Sequence, residues 1–134
     1  MIIYTAKTRT TGGRDRGTSR STDGRLDVQL GTPGTARIGT NPEQLFAAAW
    51  STCFMSAVAL AARQAKLALP GEVSVDAEVS LHKTNGDYFL SAILNVHLWG
   101  VAPEIAKDLI KRAQQICPYS KATSGNIDVA INMI

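Results

Sequence analysis

Cys53 and Cys117 are the chain's two cysteines, and their surroundings contrast: one lies inside an uncharged apolar run, the other directly precedes Pro118. Two thiols in such different surroundings suggest thiol redox chemistry. Free cysteine is also among the most buried residue types and packs as a small hydrophobe, so the count alone leaves both uses open. Cys53 stands four residues after Ala49 and four before Ala57, which puts small side chains beside it on a helical face. An apolar setting raises a thiol pKa, so a reactive Cys53 needs a cation nearby. Cys117 can sit at the cap of a helical turn beginning at Pro118, where backbone N–H groups favour thiolate, or it can close the preceding helix as a core residue. No Cys-x-x-Cys pair exists, and His82 and His97 fall in alternating, strand-like segments. No metal site is therefore expected.

The elements that must position these thiols are legible. Residues 45–62, LFAAAWSTCFMSAVALAA, carry no charge over 18 positions. That length raises the question of a membrane span, but Ser51, Thr52 and Ser56 interrupt the run, alanine fills much of it, and no basic anchor accompanies it. A helix apolar on all sides is instead expected to be buried on all sides, in so small a domain by a partner subunit. Asn41-Pro42-Glu43-Gln44 reads as its start, with Asn41 as cap, Pro42 at the first position and Gln44 able to close a capping box. The helix is expected to run to about Lys66. Upstream, residues 2–6 and 26–30 read as short strands joined by a loop over residues 12–24. Downstream, the alternation of Val73, Val75, Ala77, Val79 and Leu81, and then of Leu90, Ala92, Leu94, Val96 and Leu98, flanks Asn85-Gly86 as a hairpin. Ile105, Ala106, Leu109, Ile110, Ala113 and Ile116 predict an amphipathic helix from Pro103 to Ile116, and Ile127, Val129, Ile131 and Met133 a final strand.

At 134 residues the chain is expected to form one domain, residues 1–134, with a core of its own. The first ten residues hold no signal-peptide h-region, so a reducing, cytoplasmic setting without a permanent disulfide is expected. The net charge of +3 is concentrated at the N-terminus: residues 1–37 hold seven Lys/Arg against three Asp. Arg9, Arg14, Arg16, Arg20 and Arg25 lie in a Gly/Ser/Thr-rich stretch without aromatic residues to stack bases, so a solvated loop is expected rather than a nucleic-acid surface.

Gly12-Gly13-Arg14-Asp15, Leu26-Asp27-Val28, Asn41-Pro42-Glu43-Gln44-Leu45-Phe46-Ala47-Ala48, Cys53-Phe54, Cys117-Pro118-Tyr119-Ser120 and Gly125-Asn126-Ile127-Asp128 together resemble the organic hydroperoxide resistance branch of the Ohr/OsmC superfamily. The likeness runs through nearly the whole chain, in order. It implies an OsmC-like α+β fold, with N-terminal strands, a long buried central helix, an antiparallel hairpin, an amphipathic helix and a final strand, in an intertwined homodimer. It also implies a thiol peroxidase that reduces organic hydroperoxides, including those of fatty acids, to alcohols. In that scheme Cys53 attacks the peroxide and becomes a sulfenic acid, Cys117 condenses with it to a disulfide, and lipoylated proteins or dihydrolipoamide restore the thiols, with no bound cofactor. Arg14 matches the arginine that favours the thiolate, and Glu43 the carboxylate that holds that arginine. Leu45, Phe46, Trp50 and Phe54 are candidates for an apolar substrate pocket, or for plain core.

The sequence departs from the family pattern in places. Arg16 stands where a glycine is common, which leaves Arg14 or Arg16 as the functional arginine. The 31–40 connection is shorter than usual, Ala49-Trp50 replaces a common Gly-Tyr, and Ser124 a frequent arginine. Glu43 and Cys53 are roughly 15 Å apart along a continuous helix at ~1.5 Å per residue. An arginine serving both must therefore work between subunits, unless the helix breaks. The competing functions are a binding protein that keeps the fold without peroxidase turnover, and a basic interaction module.

Overall fold

A computed structural model describes all residues, 1–134, as a mixed α+β chain of two three-stranded sheets and four helices. The chain forms two compact units, Met1–Leu45 and Phe46–Ile134.

The first unit is built on β1 (Thr8–Thr11), β2 (Thr18–Ser21) and β3 (Asp27–Gln29), all antiparallel, with a single helical turn α1 (Gly13–Arg16) between β1 and β2. Two expectations fail here. Residues 2–6 form no strand: Ile2, Ile3 and Tyr4 are exposed, and pairing begins at Thr8. The 12–24 segment is not a plain loop, because α1 and β2 lie within it. These strands are polar and their pairing rests on the backbone ladder and on contacts such as Thr10 Oγ1 to Ser19 Oγ at 2.9 Å. Hydrophobic alternation has nothing to report in such strands. Gly17 closes the turn under α1 so tightly that a Cβ there would collide with the Gly13 and Thr11 carbonyl oxygens.

Helix α2 (Pro42–Gln64) begins at the expected cap: Gln44 N–H donates to Asn41 Oδ1 at 2.9 Å. Such a cap contributes about 1 kcal/mol. The capping box does not close, because the Gln44 side chain accepts the Thr40 hydroxyl at 2.8 Å instead. α2 ends at Gln64, two residues early, followed by Lys66 at φ 55°.

In the second unit, β4 (Val73–Thr84) and β5 (Asp87–Leu98) form the expected hairpin, with Leu94 opposite Ala77. Its two-residue turn needs positive φ at both positions, and Asn85 (52°) and Gly86 (81°) supply it. After α3 (Pro103–Ile116) and the short α4 (Pro118–Thr123), β6 (Asp128–Met133) pairs parallel to β5. The core lies between this sheet and the helices: Ala92, Leu94, Val96 and Leu98 of β5 join Trp50, Phe54, Ala57, Val58, Ala61 and Ala62 of α2 and Ala106, Leu109, Ile110 and Ala113 of α3. Each large apolar side chain removed from water in this way stabilises the fold by about 1.5–3 kcal/mol.

α2 is the one helix long and apolar enough to cross a membrane. Its buried residues form one stripe, whereas Ala48, Thr52 and Ser56 on the opposite side are exposed, so a single chain buries α2 on one side only.

Candidate active site

Both cysteines are free thiols in the second unit, and the fold brings them together: Cys117 Sγ lies 3.2 Å from Cys53 Sγ. Cys53 projects from α2 and is half-buried, while Cys117 is completely buried. Cys117 ends α3 and caps α4 at once. Its N–H donates to the Ala113 carbonyl at 2.8 Å, and its own carbonyl accepts the Lys121 N–H at 3.1 Å. The change of direction that lets one residue do both follows from Pro118, which suits the first position of α4 and cannot continue α3. Closing a disulfide from here needs the sulfurs to approach by about 1.2 Å, to the ~2.05 Å of the bond.

Burial pushes the Cys53 thiol up from its ordinary value; the hydrogen bond it shares with Cys117 adds to this, and the Tyr119 backbone N–H opposes it. Tyr119 follows Pro118 in the first turn of α4, so the backbone N–H that favours the Cys53 thiolate comes from the start of that helix.

In the first unit, Arg14 and Glu43 form a two-pronged ion pair: Nη1 donates to Oε2 at 3.0 Å and Nη2 to Oε1 at 2.6 Å. Arg14, not Arg16, is thus the arginine that Glu43 holds. A guanidinium carries five N–H donors in a rigid fork, so two given to Glu43 leave others for a second acceptor. The hydrogen bond from Arg14 holds the Glu43 carboxyl below its usual value. A carboxylate shifted this way contributes stability above the ordinary carboxylate pKa, lost as the pH falls through the lowered one. Arg14→Ala should therefore move the Glu43 titration upward, as read by carboxyl carbon NMR; an unmoved midpoint would count against the pair. Arg20 also pairs, with Asp27 at 3.3 Å, and Arg37 donates to the carbonyls of Leu30 and Gly17. Much of the N-terminal basicity is thus engaged within its own unit.

Of the four pocket candidates, Trp50 and Phe54 are fully buried core residues, and Leu45 and Phe46 are half-buried. Phe46 meets Trp50 edge-on at 5.5 Å and Tyr119 at 6.1 Å. Tyr119 and Ser120 gained no role from the sequence beyond their place in a motif. Their position straight after Pro118 was the available signal, since it puts the Tyr119 N–H in the first turn of α4.

Comparison with known proteins decides the lineage. A family described as OsmC-like protein matches residues 31–132. The organic hydroperoxide resistance protein of Xanthomonas axonopodis pv. citri (strain 306) is 43% identical over 98% of this chain and 95% of its own length. The chain belongs to the OsmC-like family, in its organic hydroperoxide resistance branch. The organic hydroperoxide resistance protein OhrA of Bacillus subtilis (strain 168) is also 43% identical, over 98% of this chain and 96% of that protein. Among solved structures of this branch, OhrB of Bacillus subtilis superimposes with a TM-score of 0.92 at 36% identity, covering 99% of this chain and 100% of that one. A Legionella pneumophila organic hydroperoxide resistance protein gives the same TM-score at 37% identity, covering 99% and 98%. The OsmC-like α+β fold expected from the motifs is therefore the fold of this chain.

Proposed function

We propose that this protein detoxifies organic hydroperoxides, those of fatty acids included, by a two-thiol peroxidase cycle. The observation that carries the reading is the 3.2 Å approach of Cys117 to Cys53 in a chain of this family branch. The Cys53 thiolate attacks the distal peroxide oxygen; the O–O bond breaks, the leaving alkoxide takes a proton to become the alcohol, and Cys53 becomes a sulfenic acid. Cys117 then attacks the Cys53 sulfur, the S–O bond breaks, and water leaves as the disulfide forms. A dihydrolipoyl group on a partner protein opens that disulfide by exchange and leaves as its own cyclic disulfide. No cofactor stays bound. A reducing cytoplasm is the setting in which such a dithiol is regenerated.

The half-buried Leu45 and Phe46 meet the organic part of the substrate, with Trp50 and Phe54 shaping the site from behind. Bulky hydroperoxides should thus outcompete hydrogen peroxide when consumption is followed with dihydrolipoamide as reductant. Equal use of both peroxides would remove these residues from the account.

Burial works against the Cys53 thiolate, so the cycle needs a cation at the sulfur. Arg14 supplies it from the second subunit of a homodimer. This reading is supported by the unbroken helix from Pro42 to Gln64, which removes the alternative of a helix break. The exposed small-residue side of α2 and the exposed Ile2, Ile3 and Tyr4 support a second copy of the chain as the covering partner. The test is complementation. Arg14→Ala and Cys53→Ser proteins should each be nearly inactive alone, and refolding them together should restore activity in mixed dimers, which pair an intact Arg14 with an intact Cys53 across the interface. Absence of any recovery from a mixture shown to contain mixed dimers would place both groups in one subunit.

A further inference from the structure

The thiol pair owes its approach to a helix too short to hold itself. α4 has six residues, well below the length at which a helix is stable alone. Its side-chain hydrogen bonds are largely internal, as in the Thr123 hydroxyl donating to the Tyr119 carbonyl at 2.8 Å. Something outside α4 must fix its position on α2. Apart from the thiols, one side-chain hydrogen bond joins the two helices: Trp50 Nε1–H donates to Ser120 Oγ at 3.3 Å. Trp50 lies one helical turn before Cys53 and is fully buried, and Ser120 lies three residues after Cys117. The bond and the thiol contact are therefore two adjacent rivets along the same pair of helices. An indole N–H buried this deeply is costly to leave unpaired, so Ser120 is held to it.

We propose that Trp50 and Ser120 are positioning residues for the condensation of Cys117 with the Cys53 sulfenic acid. Resting on the peroxidase reading above, the inference concerns the second step alone: the Cys117 sulfur forms the S–S bond, the Cys53 S–O bond breaks, and the departing hydroxide leaves with the thiol proton as water. A misplacement of about 1 Å can slow such a step ~100-fold. Loosening α4 prolongs the sulfenic acid and exposes it to a second peroxide, which carries it to the sulfinic state.

The experiment compares wild type with Trp50→Phe, Ser120→Ala and the double variant, with Ser120→Thr as the variant that keeps the hydroxyl. The disulfide is first made with diamide and then equilibrated against dithiothreitol buffers, so the readout is the effective concentration of one thiol at the other and does not depend on peroxidase activity. Each single variant should lower it about five- to tenfold, the double variant no further than either single, and Ser120→Thr should restore it. With cumene hydroperoxide, the same variants should divert a larger share of the Cys53 sulfenic acid from disulfide to sulfinic acid, and Ser120→Thr should not. An unchanged thiol equilibrium in both single variants, or losses that add in the double variant, would overturn the proposal. If the wild type forms no disulfide with cumene hydroperoxide while the dithiothreitol equilibrium still shifts as expected, the peroxidase reading fails and the positioning role stands.

Discussion

Replacing Cys53 with serine is expected to abolish organic hydroperoxide consumption, lowering turnover by roughly a thousandfold or more, the scale seen when an enzyme loses its nucleophile. A serine hydroxyl at neutral pH offers almost no alkoxide and cannot be carried through a sulfenic acid. The loss should be chemical rather than structural. Cys53 is half-buried on a helix that already carries Ser51, Thr52 and Ser56, whose hydroxyls bond carbonyls one turn back. Serine at 53 can do the same, so helical content and melting temperature should stay near wild type. Peroxide consumption followed by a colorimetric hydroperoxide assay decides the matter, and substantial residual turnover in a folded Cys53→Ser protein would sink the assignment of Cys53.

The second large effect is expected from Cys117. Without a resolving thiol, Cys53 still meets peroxide, so Cys117→Ala should consume about one equivalent of hydroperoxide in forming the sulfenic acid and a second, more slowly, in ageing to sulfinic acid, with no sustained turnover. Alanine is the better probe here. Cys117 is completely buried, and a serine hydroxyl in its place risks an unpaired buried polar group costing about 1–3 kcal/mol. Intact-mass measurement after stepwise peroxide addition reads the outcome. Sustained turnover with dihydrolipoamide in Cys117→Ala would show that the disulfide is not an obligatory intermediate.

How much of this was legible in the sequence depended on what kind of signal each element sends. The β4–β5 hairpin, α3 and β6 were readable because each buries one face, and burial writes a period of two or of three to four into the residues. The first unit sends no such signal. β1 and β2 are threonine, serine and arginine, paired through their backbones, so the strand at Thr8–Thr11 went unseen while the exposed Ile2, Ile3 and Tyr4 suggested one in the wrong place. Residue types carried the site only so far. Glu43 and Arg14 stand out in their motifs, and that Arg14 rather than Arg16 pairs with Glu43 is a geometry that no spacing encodes. The role of the Tyr119 N–H belongs to backbone atoms, whose donors look alike in every sequence. The bond from Trp50 to Ser120 spans 70 residues and exists only because α4 folds back against α2.

The central claim is that one chain's Cys53 and Cys117 pass through a sulfenic acid to a shared disulfide on meeting an organic hydroperoxide. Rapid-quench mass spectrometry with alkylation of free thiols tests it most directly, using one equivalent of cumene hydroperoxide followed by excess dihydrolipoamide. The account predicts a transient single-oxygen adduct on Cys53, its replacement by a Cys53–Cys117 disulfide within one chain, and return of both thiols after the dithiol is added. A stable oxygen adduct on Cys53 with Cys117 still alkylatable, or two unmodified thiols after the peroxide has been consumed, would contradict it.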